Sequence, residues 1–196
     1  MSMSSQPIAV SSPAFETLTA LFYLSMLYAV AAILTAAMAY QYLNAEIPCP
    51  LCLLQRVALF GVCFGIIRNF RGGYNDRNAG WGLLFSLFLL IVSVRQTLLN
   101  IYPRPGHDYV GSAVFGIHMP VWSVLIAVAL LIAFGLKLAV LGGDGWLAGR
   151  KPTGALGSLA TIGMVYVLAL CAVNFISVVV QCGADACHTY EYRLLK

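Results

Sequence analysis

Cys49-Pro50-Leu51-Cys52, continued by Leu53-Leu54-Gln55-Arg56, is the stretch of this chain best equipped for chemistry. A two-residue gap lets two thiols close a small disulfide ring, and such pairs serve as redox centres or as halves of metal sites. Arg56 follows Cys52 by four residues and Cys49 by seven, so a helix beginning near Cys49 puts all three side chains on one face. A permanent cation there favours a thiolate, or a bound cofactor that turns anionic when reduced. Cys182 and Cys187 make a second close pair, and the Gly and Ala residues between them ease the turn that a disulfide would need. Zinc asks for four N or S ligands, which the two pairs together could supply, yet no histidine stands close to the first pair. Haem attachment requires His directly after the second cysteine, where Leu53 stands. Redox chemistry is therefore the preferred reading of Cys49 and Cys52.

The elements that must hold these residues are membrane helices. Of the 196 residues 61% are hydrophobic and only 9% charged, and the mean hydropathy is +0.87. Apolar runs of about twenty residues can cross a bilayer as helices. The pattern predicts five such spans, over 15–43, 50–70, 79–101, 119–141 and 156–181. Pro48 and Pro50 separate the first two, and Pro50 suits the first turn of a helix. Polar turns rich in Gly and Pro close the remaining spans. The expected fold class is an all-α membrane protein: a four-helix transmembrane bundle plus a fifth transmembrane helix. Residues 1–196 read as one integral membrane domain with no appended soluble domain, and the first span as a retained helix, because no Lys or Arg precedes it. The partners expected from composition are membrane lipids; the absence of a basic run or basic–aromatic patch argues against nucleic acid.

Lys and Arg counts set the expected orientation. Arg68, Arg71 and Arg77 flank the connection between spans two and three, and Lys137, Arg150 and Lys151 that between four and five. These belong in the cytoplasm, together with the N-terminus. Both cysteine pairs then emerge on the outer side. Cys63 and Cys171 fall inside apolar runs and read as small hydrophobes. Tyr40, Tyr42, Trp81, Tyr102 and Trp122 near span ends read as an interfacial belt. His107 and His118 are loop imidazoles that could shuttle protons, and His188 could lower the pKa of Cys187; each is equally read as a histidine with no special task.

The run Ile47-Pro48-Cys49-Pro50-Leu51-Cys52-Leu53-Leu54-Gln55-Arg56-Val57-Ala58 resembles the signature of the disulfide bond formation protein B (DsbB) family. Arg95-Gln96-Thr97-Leu98-Leu99-Asn100-Ile101-Tyr102-Pro103 and Met119-Pro120-Val121-Trp122-Ser123 extend the resemblance over about residues 15–141. The resemblance implies a bacterial inner-membrane thiol:quinone oxidoreductase that oxidises a thioredoxin-like (DsbA-like) partner outside the cytoplasm. The implied cofactor is a quinone, ubiquinone or menaquinone. Cys52 would exchange electrons with the ring, and Cys49 would exchange disulfides with the next thiol pair. Arg56 would bind the ring oxygen, with Gln96 and Asn100 helping to line the pocket. Arg95 is equally read as an interfacial anchor.

The sequence also departs from the family. The family's second cysteine pair lies between its third and fourth helices, whereas here that loop has no cysteine and Cys182/Cys187 follow the extra span. The second pair is read either as a relocated shuttle, catalytic with Cys49 and Cys52, or as a static disulfide tying the tail. The rival overall reading is a family-derived accessory subunit of a larger membrane complex, with purely structural cysteines. Among enzymes, a relative of vitamin K epoxide reductases is the less well matched alternative.

Overall fold

The structure is a computed structural model and describes residues 13–44, 46–101, 113–142, 144–183 and 187. It is an all-α membrane protein. Five helices among the described residues are long and apolar enough to cross a membrane: α1 (Pro13–Leu43), α2 (Pro50–Gly72), α3 (Asp76–Ile101), α4 (Met119–Leu136) and α5 (Gly154–Cys182). A π-helical turn, Lys137–Leu141, prolongs α4, and a 3-10 turn spans Asp144–Leu147. Tyr102, His107 and His188 lie outside the described residues.

Prolines set the starts that matter. Pro50 opens α2 at a position whose N–H would have no helical acceptor, leaving Cys49 as the cap. Pro120 does the same for α4. Between α3 and α4, where only a connection was expected, Ala113–Val114 (β1) and Ile117–His118 (β2) form an antiparallel hairpin. Its turn places both Phe115 and Gly116 at positive φ, the conformation that a two-residue hairpin turn requires. Trp122 Nε1 donates to Val114 O at 3.0 Å and fastens this hairpin to α4.

Helix pairing follows from small residues and large ones set against them. α2 packs on α3, α3 on α4, and α5 on both α1 and α2. At Gly65 a Cβ would stand 2.7 Å from Asn78 O and 2.8 Å from Gly82 N, so bare backbone is what lets α2 and α3 approach. The core between the helices holds Tyr23, Leu27, Val30 and Leu34 of α1, Val62 and Ile66 of α2, and Phe134 of α4. Outward faces are apolar too, as expected of surfaces that meet lipid.

A polar cluster closes the end of the bundle away from the cysteines. Lys137 Nζ pairs with Asp144 Oδ1 at 2.5 Å, and Tyr23 Oη donates to Asp144 Oδ2 at 2.6 Å. Asp144 N–H donates in turn to Asp76. Lys137, a span-end charge by its place in the sequence, is buried and satisfied by a carboxylate. Tyr74 N–H donates to Arg150 O at 3.1 Å, joining the α2–α3 connection to the segment before α5.

Candidate functional site

Cys49 and Cys52 form a disulfide at the start of α2, with Cα atoms 5.0 Å apart. The helix itself builds this geometry. Cys49 stands at the N-cap in extended conformation, and its Sγ accepts the otherwise unpaired Cys52 N–H at 3.1 Å. The first turn then carries Cys52 round beside it. Gln96 of α3 donates from Nε2 to both sulfurs, at 3.2 Å and 3.3 Å. Its Oε1 accepts from Gln55 Nε2 at 2.7 Å, and Gln55 Oε1 accepts from Ser123 Oγ of α4 at 3.0 Å. Three helices thus reach the sulfurs through two amides and a hydroxyl.

Arg56 lies one turn beyond Cys52 and is only 6% exposed. Its Nη1 donates to Gln41 Oε1 of α1 at 2.5 Å and to Asn174 Oδ1 of α5 at 3.3 Å. Its Nη2 donates to Ala37 O at 3.0 Å. A guanidinium is planar and fork-shaped, so these acceptors on two helices fix its plane as well as its position. A buried cation in a membrane helix is costly and marks a site by default.

Cys49, Cys52, Gln55 and Arg56 line one cavity of about 360 Å³. α1 contributes Ala37, Tyr40 and Gln41 to its wall, and α4 contributes Trp122, Ser123 and Ile126. Leu59 and Leu89 supply apolar floor, while Phe115 of the hairpin reaches the rim. The face shared by the two cysteines and Arg56, expected from their spacing, is therefore the face turned to this cavity. Gln96 stands against the sulfurs and is not among the lining residues, nor is Asn100, which lies half-buried one turn further along α3. Arg95 is exposed on α3 beside Ile91, Val94 and Leu98, the setting of an interfacial anchor.

Cys182 and Cys187 also form a disulfide, with Cα atoms 4.3 Å apart. Gln181 Nε2 donates to Pro48 O at 2.8 Å, so the end of α5 is fastened to the residue before Cys49. The second pair thereby begins next to the first. Cys63 is buried in α2 and Cys171 exposed on α5, both as free thiols. His118, the residue before α4, makes no side-chain cap. No group of three or more His, Cys, Asp or Glu able to hold a metal occurs among the described residues.

Gln41, Asn174 and Gln181 were not singled out from the sequence, and Ser123 entered only as part of a motif. The signal that would have found them is their polarity within apolar spans, where an amide or hydroxyl must have a partner. Gln55 was read only as part of a motif, although its side chain lies between Gln96 and Ser123.

Residues 19–108 match the family model described as disulfide bond formation protein DsbB. A curated relative, disulfide bond formation protein B of Paracidovorax citrulli (strain AAC00-1), is 36% identical over 91 residues. That match covers 41% of this chain and 50% of the relative, so the chain spans about half the length of the protein it matches. No solved structure matches.

Proposed function

The chain belongs to the disulfide bond formation protein B family through residues 19–108, and from that premise we propose that it is a thiol:quinone oxidoreductase making disulfides outside the cytoplasm. The observation that carries the proposal is one cavity holding a disulfide and a buried guanidinium between apolar walls. Those residues fit a quinone: the walls suit a flat neutral ring, and Arg56 suits the negative charge that the ring gains on reduction. A bound quinone, ubiquinone or menaquinone, supplies an acceptor for two electrons and two protons.

The chain's own residues perform the thiol chemistry. A partner thiolate attacks a protein disulfide and forms a mixed disulfide, and the partner's second thiolate displaces it. The partner leaves oxidised, and two electrons and two protons remain on the protein as a dithiol. Cys49, the cap at the outer end of α2, exchanges with the incoming pair. Cys52 faces the cavity and passes the electrons on as the Cys49–Cys52 bond closes again. Arg56 holds its charge toward the cavity through Gln41, Ala37 and Asn174.

Cys182 and Cys187 act as the shuttle between the partner and Cys49. The link from Gln181 to Pro48 supports this, because it keeps the tail beside the first pair. The partner is a thioredoxin-like, DsbA-like protein. The setting is the bacterial inner membrane, with the N-terminus in the cytoplasm and both disulfides facing outward.

The test uses the full chain in lipid nanodiscs with a reduced thioredoxin-like protein and a short-chain ubiquinone or menaquinone analogue. The expected result is quinone reduction that Cys49→Ala or Cys52→Ala abolishes. In parallel, all six cysteines are mapped by differential alkylation with and without the analogue. If Cys49 and Cys52 respond and Cys182 and Cys187 do not, the shuttle fails while the oxidase stands. If neither pair responds, the enzyme reading gives way to the accessory subunit.

A further inference from the structure

A disulfide carries no proton, so each sulfur can only accept a hydrogen bond. This fixes the direction of every bond behind it. Gln96, in contact with both sulfurs, must turn its NH2 group toward them, at 3.2 Å and 3.3 Å. Its Oε1 is then an acceptor, and Gln55 must donate to it from Nε2 at 2.7 Å. Gln55 Oε1 must accept in turn, which commits the Ser123 hydroxyl to it at 3.0 Å rather than to Met119 O at 3.3 Å. Gln55 and Gln96 are both buried, where an unpaired amide is costly, so the chain holds as a unit.

Reduction changes what the sulfurs want. A thiolate accepts from the same NH2 group far more strongly than a disulfide sulfur does, because the bond becomes charge-assisted. A protonated thiol offers an S–H toward a group that is itself a donor. An amide free to rotate would adapt by turning its oxygen to the thiol. This one is held from behind.

We propose that Gln55, backed by Ser123, is a positioning residue that locks the Gln96 NH2 group onto Cys49 and Cys52 and so stabilises their reduced, thiolate form. Gln96 touches the reacting sulfurs, and Gln55 acts through it. The amides pull electrons toward the pair from the partner side, while among the described residues Arg56 and Glu46 are the charged groups that share the cavity with it. The proposal rests on the redox reading of the pair, but its test needs no quinone.

The full chain is equilibrated in lipid nanodiscs with glutathione redox buffers, and the Cys49/Cys52 dithiol–disulfide ratio is read by mass-tag alkylation. The alkylation rate of the reduced pair is followed from pH 5 to 9. Gln55→Leu is expected to shift the equilibrium about tenfold toward the disulfide, or about 30 mV for a two-electron couple. It also moves the alkylation midpoint upward. Gln55→Glu keeps the shape but can only accept from Gln96 when ionised, so it turns the Gln96 oxygen to the sulfurs and shifts the equilibrium at least as far. Gln55→Leu placed on Gln96→Leu is expected to add nothing further. Additive shifts in that double variant, or a Gln55→Glu protein that titrates as wild type does, would overturn the proposal. If these shifts occur without any quinone reduction, the positioning role stands and the oxidase reading alone fails.

Discussion

Replacing Arg56 with Met separates what the guanidinium does for the fold from what it does in the proposed electron transfer. For the fold, two opposing effects nearly cancel. Gln41 Oε1 and Asn174 Oδ1 each lose a donor, at about 1–3 kcal/mol apiece for a buried acceptor. The same substitution removes the several kcal/mol spent keeping a cation out of water. A net change within about 2 kcal/mol is expected. For electron transfer nothing cancels. A reduced ring beside Arg56 in the cavity would hold its charge at an assumed separation on the order of 6 Å from the guanidinium carbon. At an effective dielectric constant of about 20, that separation gives about 2.8 kcal/mol, or a factor of about one hundred. Turnover of a short-chain quinone analogue by Arg56→Met in nanodiscs should fall by about that factor. Arg56→Lys keeps the charge but loses the fork, and should fall about tenfold. Thermal unfolding monitored alongside reads the stability term. If folded Arg56→Met protein keeps a third or more of the wild-type rate, the electrostatic reasoning is wrong.

Asn174→Leu removes one acceptor holding Arg56 and should slow quinone reduction about tenfold, from the loss of about 1.5 kcal/mol at a charged hydrogen bond; an unchanged rate would mean that α5 does not contribute to the site. Gly65→Leu drives side-chain atoms into the backbone of Asn78 and Gly82, and a loss of about 3 kcal/mol or failure to assemble is expected in unfolding assays. Tyr74→Phe deletes a buried hydroxyl that finds no hydrogen-bond partner among the described residues, and should leave stability unchanged or raise it by about 1 kcal/mol. Burial, with Glu16 and Asp144 nearby, pushes the Tyr74 phenol above its ordinary value. The folded state therefore favours the neutral form, and its contribution is present below about pH 10 and lost as the pH rises above it. Tyr74→Phe should unfold less steeply than wild type in that alkaline window.

Helices were the legible part of this chain, because a bilayer admits few alternatives and a run of apolar residues has to cross it. Pro50 and Pro120 marked the starts of α2 and α4 to the residue or its neighbour. α3 begins at Asp76 rather than at 79, because the polar Asp-Arg-Asn run still pays its way as a first helical turn on which Asp76 meets the helix dipole. The pairing of Cys49, Cys52 and Arg56 on one face was legible for the same reason, as a matter of 3.6-residue spacing. Which other side chains would meet them was not. Gln41, Asn174 and Ser123 come from helices 15, 118 and 68 residues from their partners, and no local pattern encodes such distances. The hairpin at Phe115 was equally hidden, since only Gly116 hints at positive φ in a stretch otherwise read as a connection.

Asn174 is translated 118 residues after the arginine it accepts from. While the ribosome is still making the fourth span, Arg56 sits in the bilayer with part of its final coordination not yet synthesised. The centre matures last, at the moment the newest helix is inserted, and a chain stalled before that point would carry a charged defect that quality control could recognise.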